Sequence, residues 1–256
     1  FITSVGSTKL FRIEVQHLIE TKKLEALVTP PAYTKLASRI FSSGVVSVLE
    51  GSQVVVTIET NHPLGEARLE IGEKVSELQS SAVTQAELPT QWTFTLPSDR
   101  SLHWQFTGRG MDGTPMIPVK GRMRVRYDEP PRIDWRDPED EIKVHMLAEL
   151  PMRAQVSDDY GLTEASIVFQ LGDEEEFPLA NWSAAEQASG ENSSELVTQV
   201  KLDELLPLES FALSERDFVA YYAYAIDNRA GREQRVESDV RFIDIRPLRQ
   251  FFSELE

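Results

Sequence analysis

The chain has 256 residues, with 26 Lys and Arg against 42 Asp and Glu, which gives a formal net charge of −16. A phosphate backbone attracts basic surfaces, so this balance excludes a general nucleic-acid-binding protein. The 41% of hydrophobic residues is typical of a folded chain, and the length suffices for two domains. No apolar run approaches the roughly 18 residues of a membrane span. The absence of cysteine excludes disulfides, thiolate metal sites and cysteine nucleophiles.

Alternating apolar and polar residues predict strands along almost the whole chain. The pattern is clearest where β-branched residues fill one face, as in Val54, Val56 and Ile58. In chain order, the alternating segments are 10–15, 52–60, 67–71, 92–96, 102–106, 142–146, 167–171 and 219–225. Strands divided by turn signals at intervals of about 10–15 residues predict β-sandwiches. Helical spacing predicts only a short turn over 201–206 and a helix over 248–255.

The acidic residues concentrate in the second half of the chain. Residues 22–128 contain 12 basic and 11 acidic side chains, whereas residues 129–246 contain 11 basic and 27 acidic ones. A step in charge of this size indicates a domain boundary. It coincides with Pro130-Pro131, a pair that favours an extended, stiff connection. The sequence therefore predicts that one folded unit ends here and another begins.

Segments of the two halves resemble one another, which indicates an internal repeat. An aromatic strand and its turn end at Gly113 in SLHWQFTGRGMDG and at Gly231 in VAYYAYAIDNRAG, 118 residues later. Pro130 and Pro247 follow these turns, 117 residues apart. A third pair, LGEARLEIG and LTEASIVFQLG, shares apolar alternation closed by glycine. The predicted fold class is all-β, with two tandem Ig-like or fibronectin-III-like β-sandwiches of antiparallel sheets.

The predicted domain plan has four parts. Residues 1–21 form the closing strand of a preceding repeat or an added N-terminal strand, and residues 22–128 form the first sandwich. Residues 129–246 form the second sandwich, which is acidic and carries an insertion at 173–210. Residues 247–256 begin a C-terminal helical segment.

Four short motifs resemble those of a known family. They are PPAY at 30–33, EGS at 50–52, DDYGL at 158–162 and YAIDNRAG at 224–231. The family consists of large bacterial proteins of unknown function with an N-terminal membrane segment, extracytoplasmic Ig-like repeats and a long helical C-terminal region. The resemblance implies an extracytoplasmic scaffold that is anchored in the membrane. Because the chain begins at Phe1 without a methionine or a signal peptide, we expect it to be a piece of such a protein.

The first half departs from the motifs of the second. GRGMDG at 108–113 stands where IDNRAG would be expected, and no DDYGL precedes LGEARLEIG. The resemblance therefore does not imply that both halves share a binding site, and it brings no catalytic residues.

The sequence contains no motif for catalysis or for a cofactor. The four histidines, His17, His62, His103 and His145, lie at least 41 residues apart, which does not fit a metal motif. A nucleophile elbow, a phosphate-binding loop and a dinucleotide fingerprint are all absent. We therefore predict that the chain is not an enzyme and assign no catalytic, cofactor or metal residues.

Carboxylates at predicted strand ends leave two interpretations open. Asp158-Asp159, Asp227-Asn228 and the run 137–141 offer the oxygen ligands that calcium prefers. Alternatively, Asp158 and Asp227 accept backbone N–H bonds inside turns, as Asp commonly does. The second interpretation is favoured because no calcium-loop motif fixes the spacing.

Two further features leave alternatives open. The acidic insertion 173–210 is interpreted as a mobile solvated loop, or alternatively as a partner-binding loop. The aromatic residues suggest a sugar-binding face, although Trp92 and Trp104 share a face with aliphatic neighbours and are expected in the core. Tyr222 and Tyr224 should point to the side opposite Tyr221. The other aromatic candidates for a sugar-binding face are Trp135 and Trp182.

The favoured function is a non-catalytic, extracytoplasmic module that spaces or presents partners in the bacterial cell envelope. The alternative is a module that binds a carbohydrate or Ca²⁺. The protein partners are unknown, self-association is possible, and no nucleic acid or cofactor is expected. No membrane span is expected within the chain itself, although the resemblance implies an anchor elsewhere in the full-length protein.

Overall fold

The structure is a computed structural model. It describes residues 18–72, 74–78, 90–138, 142–172, 175–187, 196–211, 213–214 and 217–247. Nearly all regular structure in these residues is β-strand. The exceptions are one helical turn, α1 (Ala184–Gln187), and 3-10 turns at Ala32–Thr34 and Leu208–Ser210. The predicted all-β class is confirmed.

The chain divides into two compact units. The first comprises Phe1–Pro31 and Ala37–Arg126, and the second comprises Ala32–Leu36 and Tyr127–Glu256. The short segment Ala32–Leu36 is therefore part of the second unit.

The first unit contains two sheets. One has the strand order β2-β1-β4-β7, and the other has the order β3-β9-β8-β5-β6. Its strands are β1 (Thr21–Thr29), β2 (Arg39–Phe41), β3 (Val45–Leu49), β4 (Gln53–Thr60), β5 (Glu66–Ile71), β6 (Lys74–Leu78), β7 (Gln91–Leu96), β8 (Leu102–Arg109) and β9 (Val119–Arg126). Alternate residues of both sheets point inward and form one core. Phe94 of one sheet packs against Trp104 of the other, with ring centroids 5.4 Å apart.

The second unit also contains two sheets. Their orders are β10-β12-β15 and β11-β18-β16-β13-β14, with β17 beside β16. The strands are β10 (Arg132–Asp137), β11 (Ile142–Val144), β12 (Glu149–Ser157), β13 (Leu162–Leu171), β14 (Glu176–Ser183), β15 (Gln199–Pro207), β16 (Phe218–Asp227), β17 (Arg235–Glu237) and β18 (Arg241–Ile245). A separate core joins the sheets, with Trp135 in edge contact with Tyr221 at 5.3 Å.

The two units share one strand topology, which confirms the internal repeat at the level of strand order. Each unit has one sheet built on β1, β4 and β7 or on β10, β12 and β15. In the other sheet, a short strand pairs in parallel with the last long strand, β3 with β9 and β11 with β18. All other strand pairs are antiparallel among the described residues. The repeated turns end on Gly113 and Gly231, whose φ angles of 84° and 77° favour glycine.

Two secondary-structure predictions were wrong. Residues 201–206 form part of strand β15 and not a helical turn, because Val200, Leu202 and Leu206 alternate into the core. The insertion 173–210 is not a loop throughout, since it contains β14, α1 and β15. Its residues 188–195 lie outside the described residues, as do the predicted strand at 10–15 and the predicted helix at 248–255.

No helix in the described part of the chain is both long enough and apolar enough to cross a bilayer.

Candidate functional site

Asp158 shapes the turn that follows β12. Its Oδ2 accepts the backbone N–H groups of Tyr160 at 2.9 Å and Gly161 at 2.7 Å. Burial, together with the charges of Asp128 and Asp227, raises the pKa of this carboxyl, although the two backbone donors counteract the shift. The predicted turn-building role of Asp158 is confirmed.

Asp227 has the same role at the end of β16. Its Oδ1 accepts the N–H groups of Arg229 at 3.2 Å and Gln234 at 2.9 Å, and only 1% of the residue is exposed. The neighbouring Asn228 donates from Nδ2 to the carbonyl of Tyr160 at 2.8 Å and to that of Tyr33 at 3.1 Å. The two loops are therefore joined to each other and to the segment that contains Tyr33.

Asp128 and Asp159 bring two carboxyl groups into direct contact. Asp159 is hydrogen bonded to Asp128, which requires a proton between them, and Asp128 also accepts a hydrogen bond from the Tyr33 hydroxyl. Burial and this contact raise the pKa of Asp159 to about 7, and burial with the Asp128 charge raises the pKa of Tyr33. The rings of Tyr33 and Tyr160 add an edge contact at 6.2 Å. All of these residues belong to the second unit.

The four acids Asp128, Asp158, Asp159 and Asp227, here called the aspartate cluster, influence one another electrostatically. In the part of the chain that the structure describes, however, no three side chains of His, Cys, Asp or Glu converge to hold a metal ion. The described histidines do not converge either, and His17 lies outside the described residues. Asp137 of the predicted run 137–141 pairs with Arg153, and residues 139–141 are also outside the described residues.

The aromatic residues divide between core and surface largely as predicted. Trp92 and Trp104 are 4% and 3% exposed and belong to the first core. Tyr221 is buried, whereas Tyr222 and Tyr224 lie on the outer face and bind Glu176 and Glu164 through their hydroxyl groups.

The remaining aromatic candidates do not form an open sugar-binding face. Arg235 lies 3.9 Å from the centre of the Tyr224 ring and covers one of its sides. Trp135 donates from Nε1 to the Ser238 hydroxyl at 3.1 Å, and Trp182 packs against the second core.

Strand β9 presents a row of cations that the sequence interpretation missed. Lys120, Arg122, Arg124 and Arg126 occupy alternate positions and are all exposed, whereas Met123 and Val125 between them are buried. None of the four cations forms an ion pair with a described residue. We call these four residues the basic row. Its period-two pattern is visible in KGRMRVR, but the near-neutral total charge of residues 22–128 concealed it.

Each unit has two packed sheets and one short parallel strand, β3 or β11, and the topology is repeated. These features define the class as two tandem Ig-like or fibronectin-III-like β-sandwiches. The chain belongs to the family described as Domain of unknown function (DUF4175), whose model matches residues 5–215. No curated protein matches the chain.

Solved structures similar to the chain include fibronectin(III)-like modules and an IG1+IG2 pair. The fibronectin(III)-like modules of Clostridium thermocellum CbhA are 14% identical, with 81% of this chain and 92% of that chain covered and a TM-score of 0.26. The IG1+IG2 pair of DIP-gamma is 14% identical, covering 79% and 93%, with a TM-score of 0.29. Similarities at this level carry no information about ligands or partners.

Proposed function

We propose that the chain is a non-catalytic interaction module in the extracytoplasmic part of a membrane-anchored envelope protein. The fold class is typical of modules that bind or space partners, and the family supplies no activity that would argue otherwise. The envelope location and the anchor are inferred from the sequence resemblance.

The observation that carries this proposal is the basic row on β9. Exposed side chains that form no ion pair with a described residue remain available to an external partner, and arginine is enriched at protein interfaces. The aspartate cluster, in contrast, serves the fold of its own unit. Asp158 and Asp227 each bind two backbone N–H groups, and Asp128 binds Tyr33 and Asp159. The aspartate cluster is thus used within its own unit, whereas the basic row forms no ion pair with a described residue.

The alternative roles receive no specific support. Carbohydrate binding requires open aromatic faces, but the hydroxyls of Tyr222 and Tyr224 are bound to carboxylates and Arg235 covers Tyr224. Calcium binding requires converging oxygen ligands, which are not found among the described residues.

The location can be tested with two fusions of the full-length protein in the source organism. Alkaline phosphatase is active only outside the cytoplasm, whereas green fluorescent protein exported through the general secretory route does not fluoresce. Joined after residue 247, the phosphatase should be active and the fluorescent protein dark. A fluorescent fusion with an inactive phosphatase would contradict the proposal, whatever the chain binds in vitro.

A further inference from the structure

Resting on the proposed function, we propose that the basic row binds a linear phosphodiester polymer of the cell envelope, laid along strand β9. The spacing of the cations and the side chains that border them support this ligand.

The basic row has the dimensions of a linear ligand. Alternate residues of a strand lie about 6.8 Å apart, so the four cations extend over about 20 Å in a nearly straight line. Consecutive charges of a polymer in which each repeat carries one phosphodiester can meet consecutive cations at this interval. A small anion would contact only one or two of them.

The flanks of the row are uncharged over most of its length. On the β3 side, Val45 and Ser47 lie opposite Arg122 and Arg124, and both are exposed. On the β8 side, His103 lies opposite Arg122. The four adjacent cations therefore form a track about one strand wide, with Arg68 and Arg109 as separate cations on β5 and β8, and this arrangement favours a chain over a broad surface.

The chemistry of the row suits phosphate. Three of the four cations are arginines, whose planar guanidinium groups bind two oxygens of a phosphate at once. Binding breaks no ion pair with a described residue. The favourable electrostatic energy is therefore not offset by the loss of an internal contact.

A shallow groove lies at the Lys120 end of the row. Lys120, His103 and Gln105 line it together with Glu70, Gly72, Trp104 and Gly121. A Cβ on residue 121 would lie only 2.1 Å from the indole ring of Trp104, so glycine is required for this core side chain to lie against the strand. Because Trp104 is buried and Glu70 is acidic, the groove adds no donor for a phosphate beyond Lys120, Gln105 and His103, and the ligand is held mainly by the cations of the row.

Three competing ligands fit these observations less well. An anionic lipid surface is planar, but the outward residues of β5 alternate in charge, with Arg68 between Glu66 and Glu70, so the positive charge does not extend evenly across the face. Single-stranded nucleic acid binds by stacking on aromatic residues, and the outward residues of β3, β8 and β9 include no Phe, Tyr or Trp.

A second copy of the chain would have to supply carboxylates. On the corresponding sheet of the second unit, Glu164 and Glu176 are bound to tyrosines, and Glu237 and Asp244 are paired with arginines. A carboxylate that already has a partner gains less from a new one, so this sheet is a poor partner for the basic row. Exposed acids on the other sheet, Glu149 and Glu204, make self-association an outcome that the experiment must distinguish.

The experiment uses the whole chain and a fluorescently labelled poly(glycerol phosphate) of about ten repeats, with Kd measured by anisotropy at several salt concentrations. Neutralising four phosphates should give a slope of about −3 in log K against log salt, by the factor of about 0.7 per contact for single-stranded polyanions. Arg122→Glu with Arg124→Glu should raise Kd at least tenfold. The matched control, Lys22→Glu with Lys23→Glu, changes the net charge equally on β1 and should leave Kd within twofold. Thermal melting of both variants checks that they fold.

Four results would overturn the proposal. The first is no saturable binding at 50 mM salt, and the second is an equal loss in the Lys22 and Lys23 control, which would reduce the effect to net charge. The third is binding of vesicles with anionic lipids but not of the polymer. The fourth is self-association of the wild type that Arg122→Glu with Arg124→Glu abolishes while the polymer remains unbound. Each is independent of the fusion test, so a failure here leaves the proposed location untouched.

Discussion

The two units differ in how the segment before their first strand contacts the loop after β4 or β12. Before β1, Ile19 is 2% exposed and packs into the first core. The backbone N–H of Glu20 donates to the Asn61 side-chain oxygen in the loop after β4, and the Glu20 carbonyl accepts from the Asn61 N–H. Before β10, Asp128 is 8% exposed and bonds to Asp159 in the loop after β12. In the first unit this contact includes the buried apolar side chain of Ile19, whereas in the second unit it is made by the carboxyl groups of Asp128 and Asp159. The shared topology therefore determines which segments are in contact, and the residue types determine whether that contact depends on pH.

The outer faces of the larger sheets differ just as clearly. Strands β9 and β18 can be aligned by their buried residues, Met123 and Val125 with Ile243 and Ile245. In this alignment Phe242 takes the position of Arg122. Phe242 is 44% exposed and packs against Phe218 with ring centroids 6.1 Å apart. The buried residues of the two strands are thus similar and the exposed residues differ. Differences on the surface allow two copies of a fold to have different functions.

The largest expected effect tests whether the two cores are separate. Phe106 and Met152 are fully buried, one in each core. Phe106→Ala should lower the stability of the first unit by about 3–5 kcal/mol, and Met152→Ala that of the second by about 2–5 kcal/mol, because each leaves a cavity. Denaturant unfolding should show two transitions, of which each variant moves only one. A single transition moved equally by both variants would show one cooperative unit.

A smaller effect distinguishes the turn aspartates of the two units. Asp227→Ala leaves two partly buried N–H groups without their acceptor and should cost about 1–3 kcal/mol. Asp112 in the first unit also accepts from a backbone N–H, that of Thr114, but it is exposed and water can replace it. Asp112→Ala should therefore cost well under half as much. Equal losses in chemical denaturation would mean that burial is not what makes Asp227 important.

The pH dependence of stability should differ between the units. The pKa of Asp159 is raised from 3.8 to about 7 in the folded state, so its proton is bound more tightly there than in the unfolded chain. The stability that this proton contributes is complete below about pH 4 and is lost as the pH rises through 7. The second unit should therefore melt several degrees lower at pH 8 than at pH 5, because Asp128 and Asp159 then repel each other.

Asp159→Asn supplies the control for this pH effect. The amide can still donate to Asp128 but does not titrate, so most of the pH dependence should disappear. The first unit has the neutral Asn61 in its corresponding loop and should show no such loss. If the melting transition of the second unit stays pH dependent in Asp159→Asn, the group that titrates is not Asp159.

The smallest effect concerns a surface ion-pair network. Arg153 binds Asp203 at 3.0 Å and Asp137 at 3.3 Å, all on the solvent side of one sheet. Arg153→Ala should lower the stability only slightly, less than any of the changes above, because exposed ion pairs are weak. High salt should remove most of that difference, as measured by urea denaturation at two salt concentrations. A loss as large as that of Asp227→Ala would indicate that this sheet is less solvated than its exposure shows.

Much of the fold was predictable because strand periodicity is a local property. Val54, Val56 and Ile58 reveal their buried face without knowledge of the partner strand. β15 was misread because Leu205 points to solvent, being 48% exposed, and turns a period-two pattern into one that resembles a helix.

The aspartate cluster was only half predictable. Asp158 and Asp227 lie in recognisable turn motifs, and their hydrogen bonds are local in sequence. The contacts of Tyr33 with Asp128 and with Asn228 join positions about a hundred or more residues apart, and no local pattern encodes such a pairing.

The most direct test of the account is amide chemical-shift mapping of the whole chain during titration with the poly(glycerol phosphate) probe. The first unit is proposed to bind the polymer through β9, whereas the aspartate cluster of the second unit serves its own fold. Shifts should therefore concentrate at residues 119–126 and in the paired strands 45–49 and 102–109. The loops at 158–161 and 227–229 should remain unchanged. Shifts centred on those loops, with β9 unaffected, would contradict the account.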